Sequence, residues 1–172
     1  MSGSYELTQN LMHDGTTPAA GCLAVNVFNV TIDLKGFTIT GSNQDSGIIG
    51  LGGGKGIVIR NGTIRNFTTG IALADDVFCR VESMNVSENN NSGIQLGNDG
   101  VVTNSIANDN MNGDGILADQ GTIISYNIAN GNGDAGIEVT CPSNLVGNTA
   151  IDNLGSNLNQ IGAGCKRYNN LF

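Results

Sequence analysis

Apolar and polar positions along this chain recur about every 22 residues, with no helical spacing. A Gly-Ile pair marks the period at Gly47-Ile48, Gly70-Ile71, Gly93-Ile94, Gly115-Ile116 and Gly136-Ile137, at intervals of 23, 23, 22 and 21. A repeat of that length, rich in β-branched residues, is the mark of a β-solenoid. From Gly47 onward each repeat carries three short alternating segments. The first opens Gly-Ile-x-Leu or a variant, as in Gly70-Ile-Ala-Leu73, Gly93-Ile-Gln-Leu96 and Gly136-Ile-Glu-Val139. The second points one apolar residue inward: Ile32, Ile59, Val81, Val102, Ile124 and Val146. A polar corner follows two residues later at Asn61, Ser83, Asn104 and Asn148, with Tyr126 as the exception. The third segment centres on Ile39, Ile64, Val86, Ile106, Ile128 and Ala150.

Three alternating strands per coil predict an all-β chain, a right-handed single-stranded parallel β-helix whose coils stack at about 4.8 Å. No segment places apolar residues at i, i+3, i+4 and i+7 over three turns, which excludes an α/β fold. A single coil cannot bury its own apolar face. Stacking turns equivalent residues into internal columns, so Ile71, Ile94 and Ile116 should form one continuous row. Asn at the corners tolerates left-handed backbone and can bond the next coil, and the Gly before each Ile is expected to supply a further bend. The chain reads as one domain: 1–28 as cap and lead into the first coil, 29–153 as repeat coils, 154–172 as closing coil and cap. Ser4–Leu11 reads as an opening strand and His13–Gly21 as a loop. Polar insertions at Gly41–Ser46 and Gly52–Gly56 lengthen the early coils.

Composition narrows the function more than the fold. A net charge of −8 repels phosphate backbones and argues against nucleic acid. No apolar run approaches the roughly 20 residues of a membrane span. Met1-Ser-Gly-Ser leads straight into foldable sequence with no visible signal peptide. Of the four cysteines, Cys141 and Cys165 lie 24 residues apart, about one coil, which would bring them side by side on neighbouring coils. They read as a disulfide, with two buried thiols as the alternative. Cys22 and Cys79 fall on non-adjacent coils and read as reduced.

Asn29-Val-Thr-Ile-Asp-Leu-Lys-Gly-Phe-Thr-Ile39 resembles the opening coil of bacterial right-handed parallel β-helix repeat proteins, the pectin-lyase-like superfamily. Cys141-Pro-Ser-Asn-Leu-Val-Gly-Asn-Thr-Ala150, with Asn157-Leu158 and Gly162-x-Gly-Cys165, resembles a C-terminal module of that group. The superfamily holds polysaccharide lyases, polygalacturonases, epimerases, phage tailspikes and non-catalytic repeat proteins such as the copper-associated NosD type. The resemblance implies the fold across nearly the whole chain, and an extracytoplasmic location. It carries no particular activity.

Candidate chemistry is sparse. Asp75-Asp76 fits the Asp pair of polygalacturonase-like enzymes, but His13, the one His, lies in the N-terminal loop, away from where acid–base work would need it. A lyase would need carboxylates for Ca²⁺ and an Arg as base. One outer column runs Asp33, Arg60, Glu82, with Arg80 on the same face. These four are the alternative catalytic set, and ordinary cross-strand charge pairing is the competing reading. The turn carboxylates Asp75, Asp76, Asp99 and Asp119 are the alternative Ca²⁺ ligands, against self-capping turns. Thr38-Ile-Thr40 is too short an array for ice binding. Gly52-Gly-Gly-Lys-Gly56 lacks the Ser/Thr and helix of a phosphate loop. The sequons at Asn29, Asn61, Asn66, Asn85 and Asn90 fall in corner-like sequence. The reading that results is a non-catalytic extracytoplasmic scaffold or weak glycan binder with no required cofactor. The alternative is a polysaccharide lyase or related enzyme acting on an acidic glycan, with polysaccharide or cell-surface glycan as partner in either case.

Overall fold

The computed structural model of the chain describes residues 1–15 and 20–172. Part of the loop expected over 13–21, Pro18 included, therefore lies outside the described residues. The chain winds into an all-strand parallel β-solenoid of about 7 turns with about 22 residues per turn and no helix among the described residues.

One face is a seven-stranded sheet of β3 (Gly21–Val25), β6 (Ser46–Gly50), β8 (Thr69–Leu73), β10 (Ile94–Leu96), β13 (Ile116–Ala118), β15 (Ala135–Thr140) and β17 (Ser156–Ile161). The rest of each coil belongs to an eleven-stranded sheet. Its main path is β1 (Gly3–Glu6), β4 (Val30–Asp33), β7 (Val58–Arg65), β9 (Arg80–Ser87), β11 (Val101–Thr103), β14 (Ile123–Ser125), β16 (Asn144–Val146) and β18 (Lys166–Tyr168). The third side is formed by β2 (Leu11–Met12), β5 (Thr38–Thr40), β12 (Ile106–Asn108) and the ends of β7 and β9. Every pairing is parallel and links a strand to its equivalent one coil away, as alternating short strands with buried inner faces require.

The predicted Ile row exists. Ile48, Ile71, Ile94, Ile116 and Ile137 are register partners, and each is fully buried. The second column runs Ile32, Ile59, Val81, Val102, Ile124 and then Leu145; Val146, expected there, is half-exposed. The third runs Ile39, Ile64, Val86 and then Ala107, Ala129 and Ala150, whereas Ile106 and Ile128 point outward at 37% and 39% exposure. In these coils Asn side chains take up interior corners beside the column, and the residue facing inward there is Ala.

Left-handed backbone turns one corner of every coil, at Lys35, Asn61, Ser83, Asn104, Tyr126, Gly147 and Asn169. Gly147, not Asn148, holds that position in its coil, and Asn148 lies buried beside it. Three of the sequon residues, Asn29, Asn61 and Asn66, are such left-handed corners. The Gly of the Gly-Ile pairs does a different job from the one expected. None of the five has positive φ. Instead a Cβ at Gly93 would stand 2.7 Å from the Asn110 amide nitrogen and 2.8 Å from the Gly115 carbonyl, so the column of Gly permits close approach to the internal Asn row.

Candidate functional site

Two buried rows of Asn occupy the corners of the C-terminal coils. In one, Asn89 donates a side-chain N–H to Asn110 Oδ1, Asn110 to Asn132 and Asn132 to Asn153, at 2.9 Å at every step. In the other, Asn127 donates to Asn148 at 3.1 Å and Asn148 to Asn170 at 2.9 Å. Each accepting Oδ1 also takes the backbone N–H of the preceding Asn. The second amide hydrogen caps a strand carbonyl, as in Asn132 to Ala107 and Asn127 to Val102, both 3.0 Å. Buried amides with all bonds made are structural parts, not ligands in waiting. Their spacing of 21–22 residues was visible in the sequence; their inward direction was not.

The outer charged column forms as expected. Glu6, Asp33, Arg60 and Glu82 are successive register partners on β1, β4, β7 and β9. Asp33, buried at 2% exposure, takes Arg60 Nε at 3.0 Å, the Asn61 amide at 3.2 Å and the Lys35 backbone N–H at 2.9 Å. Burial pushes its carboxyl up. The Lys35 N–H, the Asn61 amide, the Arg60 guanidinium and the Lys35 charge outweigh that and hold it below the ordinary carboxylate value. Lys35 Nζ reaches Glu6 at 3.0 Å, and that bond raises its pKa. Arg80 Nη1 meets Glu82 Oε1 at 3.2 Å. All four members of the alternative catalytic set therefore share one face, each with an opposite charge beside it.

The turn carboxylates behave differently. Asp75 is exposed, while Asp76 is fully buried, with Oδ1 accepting the Gly54 N–H at 2.6 Å and Oδ2 without a hydrogen-bond partner among the described residues. Burial raises its pKa; the Gly54 bond opposes this and the Asp75 charge adds to it. Asp99 holds a left-handed corner, and Asp119 lies in the turn after β13. Among the described residues no three His, Cys, Asp or Glu side chains come together to hold a metal ion. His13 Nε2 meets Asp45 Oδ2 at 3.0 Å and its ring stacks on Phe67, so it packs over an N-terminal corner.

Cys141 and Cys165 form a disulfide across neighbouring coils, with Cα atoms 5.0 Å apart. Cys22 and Cys79 are free, and burial pushes the Cys79 thiol up to about 11. Two concavities lie at the ends of the solenoid. One of about 310 Å³ is lined by Leu7, Leu23, Val25 and Val30, and one of about 230 Å³ by Arg167, Asn169, Asn170 and Phe172. Neither includes Arg60, Arg80 or Glu82.

The family model described as the right-handed beta helix region matches residues 4–164. The chain belongs to the right-handed β-helix family. A search of curated protein sequences found no match. Among solved structures this β-helix is similar to the pectate lyase Pel9A, with TM-score 0.66 and 16% identity over 89% of this chain and 44% of that one. It is also similar to a mutant of the periplasmic alginate epimerase AlgG, with TM-score 0.65 and 16% identity over 98% of this chain and 47% of that one. The chain thus spans less than half the length of either neighbour. At such identity the likeness is one of fold.

Proposed function

We propose that this β-helix binds glycans on the outer face of its larger sheet, without turning them over. The observation that supports this is the pairing along the Asp33–Arg60–Glu82 column. Arg60 is tied to a buried carboxylate and Arg80 to Glu82, so neither stands free as a base, and no concavity described above includes them. Paired charges at strand spacing still offer a sugar hydroxyl both donors and acceptors. On this reading 1–28, 29–153 and 154–172 are cap, coils and closing coil of one domain. The Cys141–Cys165 bond supports an extracytoplasmic setting.

A second reading has one observation in its favour: both structural neighbours are enzymes of acidic polysaccharides by name. On it, Arg60 or Arg80 would act on a uronate beside Asp33 and Glu82, with Ca²⁺ held by carboxylates. A lyase absorbance assay and an epimerase assay on polygalacturonate and mannuronan, with and without Ca²⁺, separate the two. Glycan retention without product is expected. Turnover that disappears in Arg60→Ala would replace the first reading with the second.

A further inference from the structure

Tyr126 breaks the rule of its corner. The equivalent positions in other coils hold Lys35, Asn61, Ser83, Asn104, Gly147 and Asn169, none of them aromatic. Tyr126 sits there with φ 57°, an uncommon conformation for a bulky aromatic, and is 63% exposed. Its backbone is held by an N–H donated to the Val146 carbonyl at 2.9 Å. Its ring is held as well. A Cβ at Gly147, the same corner one coil on, would stand 2.7 Å from Tyr126 Cδ1 and Cε1, so the ring lies across a glycine that leaves it room. The Cδ1–Cε1 side of the ring lies beside Gly147, and the side chain stays largely open to solvent. Phe78 is also an exposed aromatic on left-handed backbone; what sets Tyr126 apart is its seat over Gly147 and the hydroxyls of Thr103 and Ser125 beside its corner.

Its surroundings identify a use. On one side the outer column runs Thr103, Ser125, Val146, with Ser125 Oγ donating to Thr103 Oγ1 at 3.0 Å. On the other side Ile106 and Ile128 expose aliphatic surface. Asn104 occupies the corner one coil before. The groups nearest Tyr126 are hydroxyls and an amide beside an aromatic ring and apolar methyls, and the Glu82 carboxylate stands one coil before Thr103. Those nearest groups are the complement of a pyranose ring, which has an apolar C–H face and a hydroxyl rim. A nucleobase would also stack, but its phosphates meet a chain of charge −8.

We infer that Tyr126 is a stacking platform for a neutral pyranose unit, with Ser125, Thr103 and Asn104 bonding its hydroxyls. This rests on the glycan-binding reading above and specifies a subsite of that outer surface, in the uncharged stretch of the same column that begins one coil beyond Glu82. The chain has no Trp and three Tyr, so intrinsic emission reports on Tyr5, Tyr126 and Tyr168. The test titrates the full chain with cellohexaose and mannohexaose, and in parallel with oligogalacturonate and oligomannuronate, by tyrosine fluorescence and calorimetry. Tyr126→Asn is the informative variant, because Asn is native at this corner in other coils and its melting temperature should equal or exceed the parent's. Phe78→Asp is the control, since Phe78 is an exposed left-handed aromatic at a different corner, where the next coil has Asp99. The expected result is binding of a neutral oligosaccharide, weakened about tenfold or more by Tyr126→Asn and unchanged by Phe78→Asp. Neutral-glycan binding that survives Tyr126→Asn overturns the inference. Binding of uronates alone, sensitive to Arg60→Ala, also overturns it while leaving the glycan reading standing. No binding of any of these glycans defeats both.

Discussion

The N-terminal and C-terminal coils share one backbone and fill their corners by opposite means. In the first, the interior corners hold Leu34, Phe67 and Met84, and the third column is Ile39, Ile64 and Val86. In the second, the same corners hold Asn rows and the third column shrinks to Ala. The junctions are explicit. Asn89 Oδ1 ends one row on the Phe67 N–H, and Asn127 Oδ1 ends the other on the Ser105 N–H, whose own Oγ accepts from Met84. A parallel coil thus needs either volume or completed amide bonds at its corners. The two currencies fail differently: lost volume is felt locally, while a broken row leaves several buried groups unpaired at once.

That contrast can be tested in descending order of effect. Asn132→Leu keeps the volume but strips partners from the Asn110 N–H, the Asn110 amide, the Ala107 carbonyl and Asn153. At about 1–3 kcal/mol for each orphaned buried group, urea unfolding should show a loss of about 5 kcal/mol or failure to fold. A loss near 1 kcal/mol would mean the row is dispensable. Phe67→Ala should cost about 4 kcal/mol as a cavity under His13. The same unfolding curves measure it, and tolerance there would show that the N-terminal corner can collapse.

The disulfide staples only the C-terminal coils. Cys165→Ser, which opens a loop of 24 residues, should lower stability by about 3 kcal/mol in non-reducing melts. Smallest is the effect of Asp114, which occupies the inner position held by Ser46, Thr69 and Ser92 in earlier coils. Burial raises its pKa to about 6; the Ala135 N–H bond opposes this, and the Glu138 and Asp134 charges reinforce it. The folded state therefore favours its protonated form. That contribution is complete below about pH 4 and lost as pH rises through about 6. Asp114→Asn should stabilise the protein by about 2–3 kcal/mol above about pH 7 and by little below about pH 4, read from melts across that range. Equal gain at both ends would refute a buried ionisation.

How much of the candidate surface could be read in advance follows the same division. The Asp33–Arg60–Glu82 column was legible, because outer positions on in-register strands inherit the coil period. The burial of Asp76 was not, since it depends on the Gly52–Gly56 insertion folding back to donate the Gly54 N–H. Tyr126 was visible as a misfit among corner residues, but the reason its ring has a seat is Gly147, one coil away.

By itself the sequence determined the coil length, the Ile row from Ile48 to Ile137, the parallel pairing and the reach of Cys141 to Cys165. All four follow from a repeat in which equivalent residues must stack. Only the tertiary structure decided between Ile106 and Ala107, Ile128 and Ala129, or Val146 and Leu145. Adjacent strand residues face opposite ways, so a slip of one residue exchanges inside for outside. At Ile106 and Ile128 the larger hydrophobe is turned out beside the Asn rows, whereas at the 145–146 pair the larger Leu145 is kept in and Val146 turned out.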